Sequence, residues 1–350
     1  MNIPDEIPAA FDTVFLLSLI EGFTVANLRR LQKLISSDRA AFDRDSLYSR
    51  AVASLSCAKA KRDADAVRKI CERSGVAIVS FMCEEYPEAL KEIHDAPLVL
   101  YRVGSPWPGG AGVAMVGSRA PTVPAMRFAH LLAADLAAAG YVVVSGMARG
   151  IDAAAHRGAL SAGGKTVAVL GCGPDVAYPP ENAKLKNEIA EKGALYSEYP
   201  PGSPPIARRF PVRNRIVSGL CRATVIVEAP KRSGALITAR LALEQGREVM
   251  AAPGNPWFAH TAGSNRLLQE GAAPVCCAAD VIDALGGIMP TGSLSSRVLS
   301  LLDRERRVEE IACALQAGTP ELLAVLMELE LADLVVKDAG GYYKKKVLKP

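Results

Sequence analysis

Four arginines fall within eight residues in the stretch Arg208-Arg209-Phe210-Pro211-Val212-Arg213-Asn214-Arg215-Ile216. Every cation there is arginine, and no acid occurs between Glu198 and Glu228 to neutralise them. A guanidinium is a planar fork of donors that fits phosphate oxygens and can stack on bases. Asn214 adds an amide that both donates and accepts. Phe210 and Pro211 place apolar surface among the charges, unlike a disordered basic tail. The chemistry on offer is anion binding. A helix start with incidental surface arginines has a similar look, so the surrounding elements must decide.

Those elements alternate. Val113 to Val116, Tyr141 to Val144, Thr166 to Leu170, Leu195 to Ser197, Thr224 to Val227 and Glu248 to Ala251 read as strands. Helical segments at 124–139, 151–161, 181–191, 213–221 and 236–245 fall between them. Val76 to Val79 and Leu98 to Tyr101 are shorter β-like runs ahead of this series. The alternation predicts an α/β fold with a doubly wound, mostly parallel sheet. In the helix from Arg213, Arg215 and Arg222 are expected to face away from Ile216, Val217 and Leu220 and to point outward.

Ligands of such sheets bind at the carboxyl ends of the strands. Two of those ends are Gly-rich turns, Gly117-Ser118-Arg119 and Ser145-Gly146-Met147-Ala148-Arg149-Gly150, each entering a helix. Free N–H groups at a helix start favour anions. Tight turns account for the glycines but not for an arginine in each. Ser233 and Gly234 open the helix after the Val227 strand, where Ser233 could cap it or meet a phosphate. Arg119, Arg149, Arg208, Arg209, Arg213, Arg215, Asn214, Phe210, Ser233 and Gly234 are therefore the candidate contacts. Aromatic residues make up only 5% of the chain, so base stacking is sparse, with Phe210 and Tyr178 the candidates.

Other chemistries find little support. The eight cysteines form no Cys-x-x-Cys pair, and the four histidines lack metal-ligand spacing, so no metal or cofactor is expected. No Gly-x-Ser-x-Gly elbow occurs. Gly164-Lys165-Thr166 resembles the end of a phosphate loop, but it follows a helix and opens a strand, the reverse of what that loop requires. Gly171-Cys172-Gly173 runs into Pro174 and is no dinucleotide fingerprint. A net charge of +4 is too mild to imply nucleic acid by itself, so any basic site must be local. Met1 to Ala10 carries Asp5 and Glu6 and does not read as a secretory signal, and the apolar run at 129–144 is too short to span a bilayer. A cytoplasmic protein without membrane insertion is expected.

The ends of the chain read as separate modules. Residues 1–72 are helical, of a SAM or helix-hairpin-helix kind, with no visible chemistry, and 73–287 hold the sheet. Gly286-Gly287 to Gly292 is a linker. The segment 288–350 reads as three helices, beginning with 296–302, 308–315 and Thr319 to about Leu331, then a hairpin through Asp338-Ala339-Gly340-Gly341, which is a winged-helix layout. Its third helix carries Glu321, Glu328 and Glu330 and no cation, which argues for protein contact rather than groove reading.

The motifs taken together resemble the DprA family of DNA-processing proteins, also called Smf. They are Tyr86-Pro87-x-x-Leu90 with Asp95-x-Pro97, Val116-Gly117-Ser118-Arg119, Ser145-Gly146-x-Ala148-Arg149-Gly150-Ile151-Asp152 with His156, Tyr178-Pro179-x-x-Asn182, Phe210-Pro211-x-Arg213-Asn214-Arg215-Ile216, and Glu228-Ala229 with Ser233 to Ala239. The resemblance implies a Rossmann-like domain that binds single-stranded DNA during natural transformation, protects it and loads the RecA recombinase, without catalysis. It implies DNA contact at Gly117, Ser118 and Arg119. It also implies a homodimer formed near Asn265, Leu267 and Leu268. Some relatives use a lysine after the Tyr-Pro pair. Here that position is Pro180, which leaves Lys184 or Arg208 as replacements. The competing reading is a nucleotide phosphoribohydrolase of the lysine-decarboxylase-like group, although its Pro-Gly-Gly loop is missing around Pro230 to Thr238.

Overall fold

The run Val142-Val143-Val144 is β-branched throughout and buried on both faces, as a central parallel strand requires. Gly112–Val116 and Thr166–Leu170 are likewise buried along their whole length. The computed structural model describes residues 11–37, 50–51, 53–55, 57–286, 298–299, 301–302, 305–315, 318–331, 334–338 and 340–346. Among them a nine-stranded sheet comprises β1 (Ala77–Ser80), β2 (Val99–Gly104), β3 (Gly112–Val116), β4 (Val142–Ser145), β5 (Thr166–Leu170), β6 (Ala194–Ser197), β7 (Ala223–Ile226), β8 (Glu248–Ala251) and β9 (Ala273–Pro274). Its order is β1-β2-β6-β5-β4-β3-β7-β8-β9. The seven strands from β6 to β9 in that order run parallel, and β2 and β1 close one edge antiparallel. The Rossmann-like, mostly parallel expectation therefore stands.

The chain starts this parallel set at β3, steps outward through β4, β5 and β6, then crosses back to β7 beside β3. The reversal between β3 and β7 is the switch point where such sheets open a crevice at their carboxyl ends. Alternate residues feed opposite faces. Val113, Met115, Val143 and Val225 pack with the helices Val123–Ala138 and Ile151–Ser161. Ala114, Val116, Val142 and Val144 share a core with Ile216 and Val217 and with Phe15, Leu17 and Leu31 of the N-terminal helices. That N-terminal layer is pinned to the sheet domain by a bridge between Thr24 and Pro97.

Helix boundaries differ in one place that matters. The arginine helix begins at Arg209 rather than Arg213 and runs to Gly219. Pro211 does not delay it, because the first turn of a helix has no backbone N–H bonds to lose. Lys165 sits at the amino end of β5, against the carbonyl of Lys192, far from the ligand edge. In the C-terminal module the helices Val308–Leu315 and Thr319–Leu331 are followed by the hairpin β11 (Val335–Lys337) and β12 (Tyr342–Lys345). A further short strand, β10 (Arg306–Arg307), pairs with β12 and was not expected from the sequence. Of the expected helix 296–302 only Val298, Leu299, Leu301 and Leu302 are described, and the linker from Gly287 to Gly292 lies outside the described residues.

Candidate nucleic-acid interface

The turn after β3 is fixed from both sides of the switch point. The Ser118 amide donates to the Glu228 carbonyl at 2.7 Å, and the Ser118 carbonyl accepts from the Ile151 amide at 3.2 Å. The Ser118 hydroxyl accepts from the Ala120 amide. Arg119 leaves this rigid turn exposed to solvent. Its guanidinium lies 5.9 Å from the centre of the Phe210 ring, and no carboxylate among the described residues pairs with it. The nearby start of helix Val123–Ala138 differs from expectation. Glu228 is buried there and accepts from the Thr122 amide at 3.0 Å and the Thr122 hydroxyl at 2.6 Å. A carboxylate already satisfies that helix terminus, so it is not open to a phosphate.

The turn after β4 is built by two clamps. Asp152 accepts from the Gly146 and Ala148 amides, both at 3.2 Å. Asn182 donates to the carbonyls of Met147 at 3.0 Å and Ala148 at 3.3 Å. This explains the Tyr178-Pro179-x-x-Asn182 motif as a brace for the turn, with Met147 held at a φ of 61°. Gly150, at a φ of 73°, faces the Ser118 carbonyl so closely that a Cβ has no room. The two glycine turns are thus packed on each other. Burial raises the Asp152 carboxyl, while the Arg213 charge and the amide donors oppose that rise. Arg149 is exposed but forms an ion pair with Glu181, so it is not a free cation.

The arginine run divides sharply, and two members correct the expectation. Arg215, expected to point outward, and Arg213, expected to contact phosphate, are both buried, each 4% exposed, whereas Arg222 is exposed as expected. Arg213 donates to the Gly146 carbonyl at 2.7 Å and to the Val169 carbonyl, tying the helix to the ends of β4 and β5. Its guanidinium fills the space beside Gly146 that a Cβ would take. Burial drives its pKa down to about 10, with Asp152 working the other way. Arg215 pairs with Glu198 at 2.6 Å and Asp95 at 3.1 Å. Arg208 and Arg209 share Glu21 of the N-terminal module at 3.2 and 3.4 Å. The acids missing from the local sequence therefore arrive from elsewhere in the fold, and the N-terminal module does carry relevant chemistry. Asn214 accepts from the Arg213 Nε at 3.2 Å.

Two adjoining hollows remain at the strand ends, sharing Arg119, Ala148 and Phe210. One, of about 470 Å3, is lined by Gly117 to Arg119, Asn214 and Arg232 to Gly234 among others. The other, of about 90 Å3, is lined by Gly146 to Arg149, Tyr178 and Pro179. The rings of Tyr178 and Phe210 lie 5.3 Å apart between them. Ser233 caps the helix Gly234–Glu244 by accepting from the Ala235 amide at 3.2 Å. Arg232 stands exposed on this wall with no acidic partner among the described residues, and sequence reading passed it over because it lies outside the arginine run. A larger hollow of about 720 Å3 lies between the N-terminal module and the arginine helix. Its arginines are already paired with Glu21, Asp95 and Glu198, so the smaller cleft is the better anion site.

The residues expected at a dimer contact have internal work. The Asn265 amide donates to the Gly254 carbonyl at 2.9 Å and accepts from the Gly254 amide at 3.0 Å. Leu267 and Leu268 are half-buried against the main core. In the winged module Glu328 and Glu330 are exposed, and Lys344 pairs with Glu305 at 2.9 Å. Lys184 is exposed on its helix.

His156 of the Asp152 motif is buried, and its Nδ1 lies 2.7 Å from the Thr166 hydroxyl. That hydroxyl donates to the Val143 carbonyl, so Nδ1 must be the donor to it. Burial, together with Arg213 and Arg157, lowers the imidazole pKa to about 3. An unfolded histidine titrates near 6.5, so below that pH the unfolded chain binds the extra proton and stability falls as pH drops toward 3. Urea midpoints should fall between pH 7 and 5, and should fall less in His156→Gln.

Comparison with known proteins follows the same outline. A family profile described as DNA recombination-mediator protein A matches residues 77–286, and one described as DprA winged helix domain matches 288–341. The Smf protein of Synechocystis is 42% identical over 209 residues, 58% of this chain and 52% of that protein, so the chain spans about half the length of this relative. The structure of DNA processing protein A from Streptococcus pneumoniae is similar with a TM-score of 0.64 and 32% identity, covering 79% of this chain and 98% of that one. The DNA processing protein A of Helicobacter pylori, solved for its single-stranded DNA binding mode, gives a TM-score of 0.55 at 32% identity, covering 61% of this chain and 96% of that one. No helix among the described residues is long and apolar enough to cross a membrane, and they hold no cluster of metal ligands.

Proposed function

Because the chain belongs to the DNA recombination-mediator protein A family, we propose that it binds single-stranded DNA at the carboxyl edge of its sheet and acts as a mediator rather than an enzyme. The observation that carries this is the unpaired Arg119 guanidinium on a turn locked by Glu228 and Ile151. A phosphate bound there meets a preorganised cation, with Arg232 on the facing wall and the Phe210 and Tyr178 rings available to a base. Gly117, Gly146 and Gly150 serve by letting Ile151, the Arg213 guanidinium and the Ser118 carbonyl close in behind the turns, while Ser118 and Gly234 line the cleft that the strand enters. Arg149, Arg208 and Arg209 join only by exchanging Glu181 or Glu21 for phosphate. Arg213, Arg215 and Asn214 support the site from within.

The wider role is natural transformation in the cytoplasm, with the bound strand protected and handed to RecA by a homodimer. In this reading 1–72, 73–287 and 288–350 are separate modules, and the acidic winged helix contacts protein. The phosphoribohydrolase alternative is disfavoured by the missing Pro-Gly-Gly loop around Pro230 to Thr238. It predicts release of ribose phosphate from AMP-like nucleotides.

Fluorescence anisotropy with a single strand and its duplex tests the proposal. The single strand should bind more tightly whatever its sequence. Its affinity should fall by roughly 0.7 log units per log unit of salt for each phosphate contacted. Tighter binding to duplex would sink the reading.

A further inference from the structure

We infer that a further hollow, beside the phosphate cleft, is a nucleobase subsite on the path of the same strand. The inference rests on the single-strand reading above. The hollow, of about 530 Å3, opens at the carboxyl ends of β7 and β8 and is lined by Phe128, Val227, Val275 and Phe258, with the Glu228 side chain in its wall. Its walls are mainly apolar, and the charged group among them is a carboxylate. A phosphate is repelled there, whereas a flat base is not. Each Glu228 carboxylate oxygen accepts one hydrogen bond from Thr122 and keeps further acceptor capacity. That suits the amino-bearing edges of guanine, adenine and cytosine, which donate to carboxylates.

The loop that contributes Asn255 and Phe258 to this lining also carries Trp257, which offers a stacking surface beside the hollow. Trp257 is 89% exposed, the highest value for a large apolar side chain among the described residues, and Phe258 beside it is 55% exposed. Their loop is fixed. Asn255 accepts from the Trp257 amide at 2.9 Å through its side chain, and its carbonyl accepts from the Phe258 amide and the Thr261 hydroxyl. An indole held in water on a rigid loop is poised to stack on a base. Continuity with the phosphate site is direct. Glu228 holds the Ser118 amide through its carbonyl and Thr122 through its carboxylate, and Thr122 is three residues from Arg119. A strand with a phosphate on Arg119 reaches the hollow within a few nucleotides.

Trp257 provides its own probe, since the chain has only two tryptophans. The native chain and Trp107→Phe are titrated with a mixed-sequence oligonucleotide and with an abasic strand of equal length. The intact strand should quench Trp257 emission, while the abasic strand should bind by anisotropy without quenching. Trp257→Ala should weaken intact-strand binding on the order of tenfold. It should leave abasic binding unchanged, and Trp257→Phe should restore most of the loss. Intact-strand binding with unchanged emission, or equal loss for both strands, overturns the subsite. Conversion of a dimer to a monomer by Trp257→Ala would assign the indole to a second copy of the chain instead. If neither strand binds, the single-strand reading itself fails, and the subsite with it.

Discussion

Arg119→Ala weakens single-strand binding by on the order of 1–3 kcal/mol, the range for a charge-assisted contact, and leaves the melting temperature almost unchanged. The side chain is exposed and has no ion-pair partner among the described residues, so little native structure depends on it. The turn that carries it is held by backbone bonds of Ser118, which survive the substitution. The salt dependence should flatten because a phosphate contact is lost. Arg119→Lys should recover only part of the affinity, since an ammonium cannot bridge two phosphate oxygens as a planar fork does. The competing idea, an arginine tying the turn to Asp152, is not what the structure contains. Asp152 accepts from Gly146 and Ala148 and sits in the field of Arg213. Affinity and melting temperature measured on one protein batch decide the matter. Wild-type affinity in a stable variant removes Arg119 from the site and leaves Arg232 as the cation of the cleft.

The sheet was legible because Val142 to Val144 and its neighbours are short apolar runs punctuated by helices that end in glycine, and both patterns are local. The roles of the arginines were not legible, because they depend on partners far away in sequence. Charge alone does not distinguish Arg213, which enters the space left by Gly146, from Arg208, which remains mostly exposed. Glu21 lies 187 residues from Arg208 and Asp95 lies in another loop, so the apparent lack of acids between Glu198 and Glu228 was a property of the chain and not of the fold. One signal was available. Helical spacing puts Arg213 and Ile216 three residues apart and Arg213 and Val217 four apart, so Arg213 shares a face with the residues that pack. Arg119 was recognisable because a strand, a tight turn and a helix start surround it, and that context is again local.

Arg215→Ala should have the opposite signature, a large loss of stability with no specific loss of affinity. Arg215 is buried, and it joins three elements by pairing with Glu198 after β6 and Asp95 ahead of β2. Burial works against its charge, but the two carboxylates outweigh that and hold its pKa above the usual arginine value. Removing the cation leaves Glu198 largely buried without its partner, and breaking a buried pair costs about 3–5 kcal/mol. Asp95 is 43% exposed at its side chain, so solvent screens its share and most of the cost falls on Glu198. For a chain of 350 residues that corresponds to a fall in melting temperature of roughly 4–7 °C. The Arg215 Nη1 is buried with no hydrogen-bond partner, so the native arrangement is not fully satisfied. Replacing both charges, as in Arg215→Met with Glu198→Leu, should therefore recover much of the loss, and a double-mutant cycle gives the coupling. Throughout the series the folded fraction should bind single strands as the parent does. A variant that keeps its melting temperature and loses affinity would return Arg215 to the phosphate site and overturn its placement as an internal tie.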